Sequence, residues 1–112
     1  MINKVTIPAS RAPFTPGEIL VEEFLLPFQL SQSSFARHVG WSPRKVSEIC
    51  TGKRAVTPET AMVLEDVFGV SAQFWLNAQL ACDLYKAKSK HKKAKMLPQV
   101  RKLLRSNKSA AS

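Results

Sequence analysis

The apolar positions of this chain recur every three or four residues in five short blocks, the spacing of one face of an α-helix. Each block follows a serine or threonine, whose side chain can accept a hydrogen bond from the free N–H groups of a helix N-terminus. In three blocks proline comes next, at a position where a helix needs no N–H. The pattern predicts an all-α domain of five helices, with N-caps at Thr15, Ser31, Ser42, Thr57 and Ser71.

The segment Ser31–Thr51 contains the second and third blocks, joined at Gly40, where a left-handed residue can end a helix. Ala36 is small at the point where the two helices would touch. This pattern is typical of a DNA-binding helix-turn-helix. A structural helical hairpin would share the apolar positions, but it would not need a cationic N-terminus on its second helix. The apolar set is Phe35, Val39, Trp41, Val46 and Ile49.

The outer face of the third predicted helix is polar and suited to contact with DNA. We expect Arg44 to bind a guanine through two hydrogen bonds and Glu48 to accept one from a cytosine amino group. Gln32, at the start of the preceding helix, would hold a phosphate, and so would Lys53 and Arg54 after the third helix. The predicted DNA-binding residues are Gln32, Ser42, Arg44, Lys45, Ser47, Glu48, Thr51, Lys53 and Arg54.

The net charge of +9 is unevenly distributed along the 112 residues. Residues 1–85 carry seven basic side chains and all eight acidic ones, whereas residues 86–112 carry ten basic side chains and no acid. The high overall charge therefore says nothing about the partner of the body. Within the body, five of the seven basic residues lie in residues 37–54. That local concentration predicts a phosphate-facing surface.

The acidic residues do not form an arrangement suited to catalysis. Glu22 and Glu23 are neighbours in a predicted helix, as are Glu65 and Asp66, and neighbouring helix positions do not face each other. The sequence has no recognisable nucleophile setting and no glycine-rich phosphate loop. His38 has no second metal ligand near it in the sequence. We therefore expect no enzyme, no cofactor and no metal site.

The two cysteines, Cys50 and Cys82, have neither a disulfide framework nor a metal-ligand spacing. Both lie in helical patterns, so we expect buried free thiols. No apolar run approaches the roughly 18 residues of a membrane span. The first residues lack the apolar stretch of a signal peptide. The sequence predicts a cytoplasmic protein without a membrane partner.

The fifth predicted helix is apolar on two separate sides. A surface helix of a monomer needs only one such side, so the second is free to bind a twin subunit or another partner. The alternative is that both sides are covered within one domain. The broad side holds Phe74, Trp75, Ala78, Ala81, Cys82 and Tyr85, and the narrow stripe holds Leu76, Leu80 and Leu84. We expect the dimer or partner interface to contain Trp75, Leu76, Leu80 and Leu84.

The chain divides into three segments by composition. Residues 1–13 are a polar, proline-containing arm that we expect to be flexible. Residues 14–85 form the DNA-binding and dimerisation domain, in which Phe28 and Leu30 would fill the core. Residues 86–112 are a basic tail, either a helical extension or disordered chain. Its end has a short amphipathic pattern that could bind DNA, a toxin or an acidic surface, with a membrane as the weakest option.

Four motifs resemble those of the HigA-type antitoxins of bacterial toxin–antitoxin modules, within the Xre group of helix-turn-helix regulators. The resemblance covers residues 14–85. Two positions depart from the family pattern, since the family usually has His in place of Thr15 and a smaller aliphatic residue in place of Trp41. The motifs are Thr15-Pro16-Gly17-Glu18-Ile19-Leu20, Leu30-Ser31-Gln32 with Phe35-Ala36, Gly52-Lys53-Arg54-Ala55-Val56-Thr57, and Phe74-Trp75-Leu76.

The resemblance implies a five-helix domain of the Xre or lambda-repressor type that works as a homodimer. It also implies binding to a palindromic operator in double-stranded DNA, repression of the protein's own operon, and neutralisation of a small ribonuclease toxin by direct binding. One alternative is a solitary Xre-type transcriptional regulator with no toxin partner. A lesser one is an interaction protein with a vestigial DNA-reading head. A small basic gene next to this one would favour the antitoxin.

Overall fold

A computed structural model describes residues 12–106, which form six α-helices and no strand. The all-α prediction is confirmed, and the sixth helix lies in the basic tail, where we expected either a helical extension or disorder. Residues 1–11 of the predicted flexible arm lie outside the described residues. The helices are α1 (Pro16–Leu20), α2 (Gln32–Val39), α3 (Pro43–Cys50), α4 (Pro58–Phe68), α5 (Ala72–Lys90) and α6 (Pro98–Ser106).

All five predicted N-caps are confirmed, because each side chain accepts a hydrogen bond from the backbone N–H three residues later. Thr15 and Glu18 form a full capping box. The Thr15 hydroxyl accepts from Glu18 N at 3.0 Å, and the Glu18 carboxylate accepts from Thr15 N at 2.8 Å. The beginnings of these helices are thus fixed by local sequence.

The helix α1 continues into a π-helical turn at Val21–Leu25, in which the hydrogen bonds span five residues. The chain then reverses through a turn in which Gln29 has a left-handed backbone, with φ of 54°. This turn directs Phe28 outward, where 67% of the residue is exposed. The expectation that Phe28 fills the core is therefore wrong, whereas Leu30 does pack against the core.

A cluster of aromatic rings at the centre of the domain joins four elements. The Phe24 ring lies 4.8 Å from that of Phe68 and 5.5 Å from that of Trp75, and Phe35 stacks on Phe68 at 5.6 Å. Aromatic pairs at such distances add stability beyond the area they bury, by about 0.5–1.5 kcal/mol each. The cluster fixes α2, α4 and α5 around the π-helical turn.

The two apolar sides of α5 have different environments. Trp75 is completely buried, so its predicted place in a dimer or partner interface is wrong. Its ring packs against Phe24 and Phe74 of the same chain and has no surface left to offer. Leu76 packs partly against the core, whereas Leu80 and Leu84 are 55% and 48% exposed. The stripe is thus uncovered over most of its length.

Candidate nucleic-acid interface

The helices α2 and α3 form a helix-turn-helix. Gly40 has φ of 75°. The backbone N–H groups of Gly40 and Trp41 both donate hydrogen bonds to the carbonyl oxygen of Ala36. Glycine adopts this left-handed conformation without steric cost. Ala36 is 1% exposed, and Val46 and Ile49 of α3 are equally buried. The predicted helix–turn–helix arrangement and its buried side are confirmed.

The position of α3 depends on a close contact with Gly17 of α1. A Cβ atom built on Gly17 would lie 1.8 Å from the carbonyl oxygen of Ile49 and 2.8 Å from Cα of Cys50. Only glycine lets the start of α1 approach the end of α3 so closely. This contact joins residues far apart in sequence, so no local pattern predicts it.

The loop after α3 is held by hydrogen bonds at both ends. The backbone N–H groups of Lys53 and Arg54 both donate hydrogen bonds to the carbonyl oxygen of Glu48, at 2.8 and 3.1 Å. Further along, the backbone N–H of Val56 donates a hydrogen bond to the side-chain oxygen of Gln79 in α5, at 2.8 Å. The loop that carries Lys53 and Arg54 is therefore tied to α3 on one side and to α5 on the other.

Glu48 joins two arginines on the outer side of this motif. Its Oε2 accepts from Arg44 Nε at 3.1 Å and its Oε1 accepts from Arg54 Nε at 2.9 Å, with Arg54 Nη2 in an ion pair 2.7 Å from Oε1. The hydrogen bonds from Arg54 and then Arg44 hold the pKa of the Glu48 carboxyl below its ordinary value of 4.5. Both carboxylate oxygens therefore accept from an arginine, and Glu48 orients the two guanidinium groups.

Lys45 and Trp41 form a second contact at the start of α3. The Lys45 ammonium lies 4.2 Å from the centroid of a Trp41 ring, a cation–π geometry. Trp41 is half-buried and meets the Phe35 ring edge-on, with centroids 5.7 Å apart. The Trp41 ring thus connects the buried core of the motif to a surface cation.

The nine residues predicted to bind DNA all lie on α2, on α3 or its N-cap, or in the loop that follows α3. Lys45 and Glu48 are half-buried, and two hydroxyls have local partners. The Ser42 hydroxyl caps α3, and the Thr51 hydroxyl donates a hydrogen bond to the carbonyl oxygen of Ser47 at 2.9 Å. Of the nine predicted residues, seven are exposed, namely Gln32, Ser42, Arg44, Ser47, Thr51, Lys53 and Arg54.

Sequence reasoning listed Glu48 as a base reader and missed its role in holding Arg44 and Arg54. The spacing of four residues between Arg44 and Glu48 was a usable signal, because such pairs are neighbours on a helix surface. The sequence contains no such signal for the contact between Arg54 and Glu48, because this contact depends on the path of the loop after α3.

Both cysteines are buried free thiols, as predicted. Burial raises the pKa of Cys50 and of Cys82, and the Cys82 thiol also donates to the carbonyl of Phe14 at 3.3 Å. In the part of the chain that the structure describes, no group of three or more potential ligands could hold a metal ion. None of the helices formed by residues 12–106 is long and apolar enough to cross a bilayer.

The helix-turn-helix family HTH_3 matches residues 21–75, a range that includes α2, α3 and α4. Over 69 residues the chain is 46% identical to virulence-associated protein I of Dichelobacter nodosus, a match covering 62% of this chain and 64% of that protein. The chain thus spans slightly less than two thirds of that relative.

Two further relatives are covered more fully. The HTH-type transcriptional regulator YbaQ of Escherichia coli is 37% identical over 81 residues, which are 72% of each chain. Antitoxin HigA-1 of Vibrio cholerae is 32% identical over 81 residues, which are 72% of this chain and 76% of that one.

Two solved structures from Pseudomonas aeruginosa have the same fold. One is antitoxin HigA with the higBA promoter, at a TM-score of 0.68 and 36% identity, covering 77% of this chain and 97% of that one. The other is a protein in complex with its 18-base-pair operator DNA, at a TM-score of 0.71 and 33% identity, covering 79% of this chain and all of the other.

Proposed function

The chain belongs to the HigA-type group of helix-turn-helix proteins, and from this premise we propose that it is a sequence-specific DNA-binding antitoxin that represses its own operon as a dimer. The observation that carries the proposal is the pair of arginines that Glu48 fixes on the outer side of α3. Two similar proteins, both of known structure, were solved with operator or promoter DNA, which supports the same use of this surface.

In the proposed complex, α3 lies in the major groove and Arg44 reads a guanine. Arg44 uses Nε to bind Glu48, so its two Nη groups remain available for the guanine O6 and N7 atoms. The Arg44 side chain is 86% exposed, as direct contact with a base requires. Lys53 and Arg54 would bind phosphates after the helix, and Gln32 would bind one at the start of α2.

We propose that Glu48 acts by positioning other residues, rather than as the base-contacting residue expected from sequence. Both of its oxygens already accept from arginines, and these contacts fix the direction of the two guanidinium groups. We assign it the positioning of Arg44 and Arg54. Ser47 and Thr51 stay candidates for base contact on the same exposed face, with Ser42 and Lys45 near the phosphates at the helix N-terminus.

We propose that the dimer forms through the leucine stripe on α5, in which Leu80 and Leu84 are exposed and Leu76 is partly buried. A twofold dimer places its two recognition helices about 34 Å apart, one turn of DNA, and therefore requires an inverted repeat in the operator. Leu80 and Leu84 are about half exposed within residues 12–106, as expected of a helix side that binds a second subunit.

The second part of the proposal is direct binding of a small ribonuclease toxin. It rests on the HigA-type relationship, since antitoxin HigA-1 of Vibrio cholerae is among the relatives. In this role the chain acts by binding and does no chemistry of its own. Because both operator DNA and such a toxin would be found in the bacterial cytoplasm, we place the protein there.

A solitary regulator without a toxin is the second candidate function. It is favoured by the similarity to YbaQ of Escherichia coli, a protein described only as an HTH-type transcriptional regulator. The DNA-binding surface would be the same in both cases. The two candidates differ only in whether the product of a neighbouring gene binds this chain.

A gel-retardation experiment with the full chain tests the DNA-binding proposal. We expect the protein to retard a duplex from its own promoter at lower concentrations than a scrambled duplex of the same length. Arg44→Ala should cost about 1–3 kcal/mol of binding free energy and relax the preference at one base position. Equal affinity of the unaltered protein for both duplexes would refute sequence-specific binding.

Co-expression with the adjacent small gene separates the two candidates. Rescue of growth by this chain, together with co-purification of the two products, is the result expected of an antitoxin. If the neighbouring product is harmless to the cell or does not bind, the solitary regulator is correct.

A further inference from the structure

The chain beyond Tyr85 presents a surface of one charge sign. Residues 86–106 contain nine lysines or arginines and no acid, and every one of these residues is exposed. Within residues 12–106 both salt bridges belong to Glu48, so no carboxylate is paired with these cations. Unpaired cations at this density attract a polyanion.

This cationic surface is concave where residues 91–97 meet α6. Two adjoining open grooves lie there, and both are lined by Lys95, Met96 and Arg101. Lys93 completes the first groove, and Lys102 and Arg105 line the second, so five cations surround the concavity. The apolar residues of α6, which are Val100, Leu103 and Leu104, line neither groove.

The tail leaves the body beside the candidate DNA interface. Lys86 lines a small cleft together with Gly52 and Arg54, the residues that follow α3. Elsewhere the described body, residues 12–36 and 55–85, has seven acids and no lysine or arginine. Within the described residues, the basic side chains are thus confined to the surface around α3 and to the tail, and these meet at Lys86.

We propose that the tail is a second DNA-binding element, which holds the phosphate backbone next to the half-site contacted by α3. The inference rests on the proposed function of α3. The groove of Lys93, Lys95 and Arg101 binds phosphates without reading bases, because no carboxylate of the described residues fixes these side chains as Glu48 fixes Arg44. DNA is favoured over an acidic protein because Lys86 continues the cationic surface of Arg54, which faces the same duplex.

The test measures the salt dependence of DNA binding by the full-length chain. In the groove variant, glutamine replaces all five cations (Lys93→Gln, Lys95→Gln, Arg101→Gln, Lys102→Gln and Arg105→Gln). Each phosphate contact that is lost makes the negative slope of log K against log salt shallower by about 0.9, so the loss of five contacts per chain makes it shallower by up to about 4.5. Affinity should fall by the same factor for the operator and for a scrambled duplex.

Two full-length controls separate charge from other effects. Replacing Lys93, Lys95 and Lys102 by arginine keeps the charge and should keep the slope. Replacing Val100, Leu103 and Leu104 by glutamine removes the apolar side of α6 and should also keep the slope. A slope that changes in this apolar variant, or stays constant in the groove variant, overturns the proposal.

The same data distinguish failure of the tail inference from failure of the proposed function. If the unaltered protein prefers its operator but the groove variant keeps the full slope, only the tail inference is wrong. If the unaltered protein binds both duplexes equally and the slope becomes shallower in the groove variant, the tail does bind phosphates, but specific binding by α3 and the tail's place beside an α3 half-site are wrong. An unchanged DNA slope with loss of self-association or of binding to anionic vesicles would assign the tail to another partner and overturn the proposal.

Discussion

Arg54 donates a hydrogen bond from Nε to one carboxylate oxygen of Glu48 at 2.9 Å, and its Nη2 lies 2.7 Å from the same oxygen in an ion pair. Glu48 lies within α3 and Arg54 lies beyond its end, so the pair joins the helix to the loop that follows. The other carboxylate oxygen holds Arg44. One acid therefore sets the direction of a proposed base-reading arginine and a proposed phosphate-binding arginine together.

Glu48→Gln should weaken specificity more than affinity. The amide has no charge with which to hold the guanidinium groups of Arg44 and Arg54, and one negative charge near the phosphates disappears. We expect binding to scrambled DNA to strengthen and the ratio of operator to scrambled affinity to fall by about fivefold or more. Competition gels measure this ratio. Glu22→Gln removes an exposed acid elsewhere and should leave the ratio unchanged.

The ionisation of Glu48 should follow its two partners. A carboxyl whose pKa is lower in the folded protein stabilises the fold above its unfolded value, and that contribution is lost as pH falls through the folded value. The ion pairs should therefore persist at neutral pH and break only below pH 4.5. Carboxyl-carbon NMR should give a Glu48 midpoint under 4.5, and Arg54→Ala should move it up further than Arg44→Ala does. A midpoint at or above 4.5 would contradict the arrangement.

Gly17→Ala should destabilise the domain and displace α3. The new methyl group would clash with the Ile49 carbonyl, and overpacking of this kind typically costs about 1–3 kcal/mol, occasionally more. Urea unfolding measures the loss, and the surviving folded protein should bind its operator more weakly. Gly69→Asn serves as a control, because a Cβ atom there meets no atom within 4 Å and asparagine tolerates the left-handed backbone. A Gly17→Ala variant as stable as the unaltered protein would show that α1 can shift without cost.

The Gly17 contact shows what could be predicted from this sequence and what could not. Helix starts depend on nearby residues, so the five caps and the turn at Gly40 were predictable. Contacts between distant segments were not, and neither the Gly17–Ile49 approach nor the Arg54–Glu48 pair has a local signal. The error at Trp75 has a related cause, because helical periodicity identifies apolar sides without showing which of them the rest of the domain covers.

Substitution of Leu80 and Leu84 by aspartate should convert a dimer into a folded monomer. Both residues are about half exposed in the single chain, so the charges need not enter the core. We expect sedimentation equilibrium to show the monomer mass and urea unfolding to become independent of protein concentration. Operator affinity should fall, since one recognition helix then contacts one half-site. Met62→Asp alters a 61% exposed residue on α4 and should leave the mass unchanged. A double variant that stays dimeric would place the subunit contact elsewhere.

Trp41 should report DNA binding through its fluorescence, whereas Trp75 should not. Trp41 is half-buried beside Lys45, which lies over its ring, and a phosphate that approaches Lys45 would change the field at that indole. Trp75 is completely buried among Phe24 and other core residues and is shielded from the DNA. Titration with operator DNA should therefore alter the emission of the unaltered protein and leave that of Trp41→Phe unchanged. Lys45→Gln keeps the indole but removes the cation, so its fluorescence response should shrink while the core signal persists. A full response from Trp41→Phe would mean that DNA binding reaches the core, and that the start of α3 is not the surface in contact with the duplex.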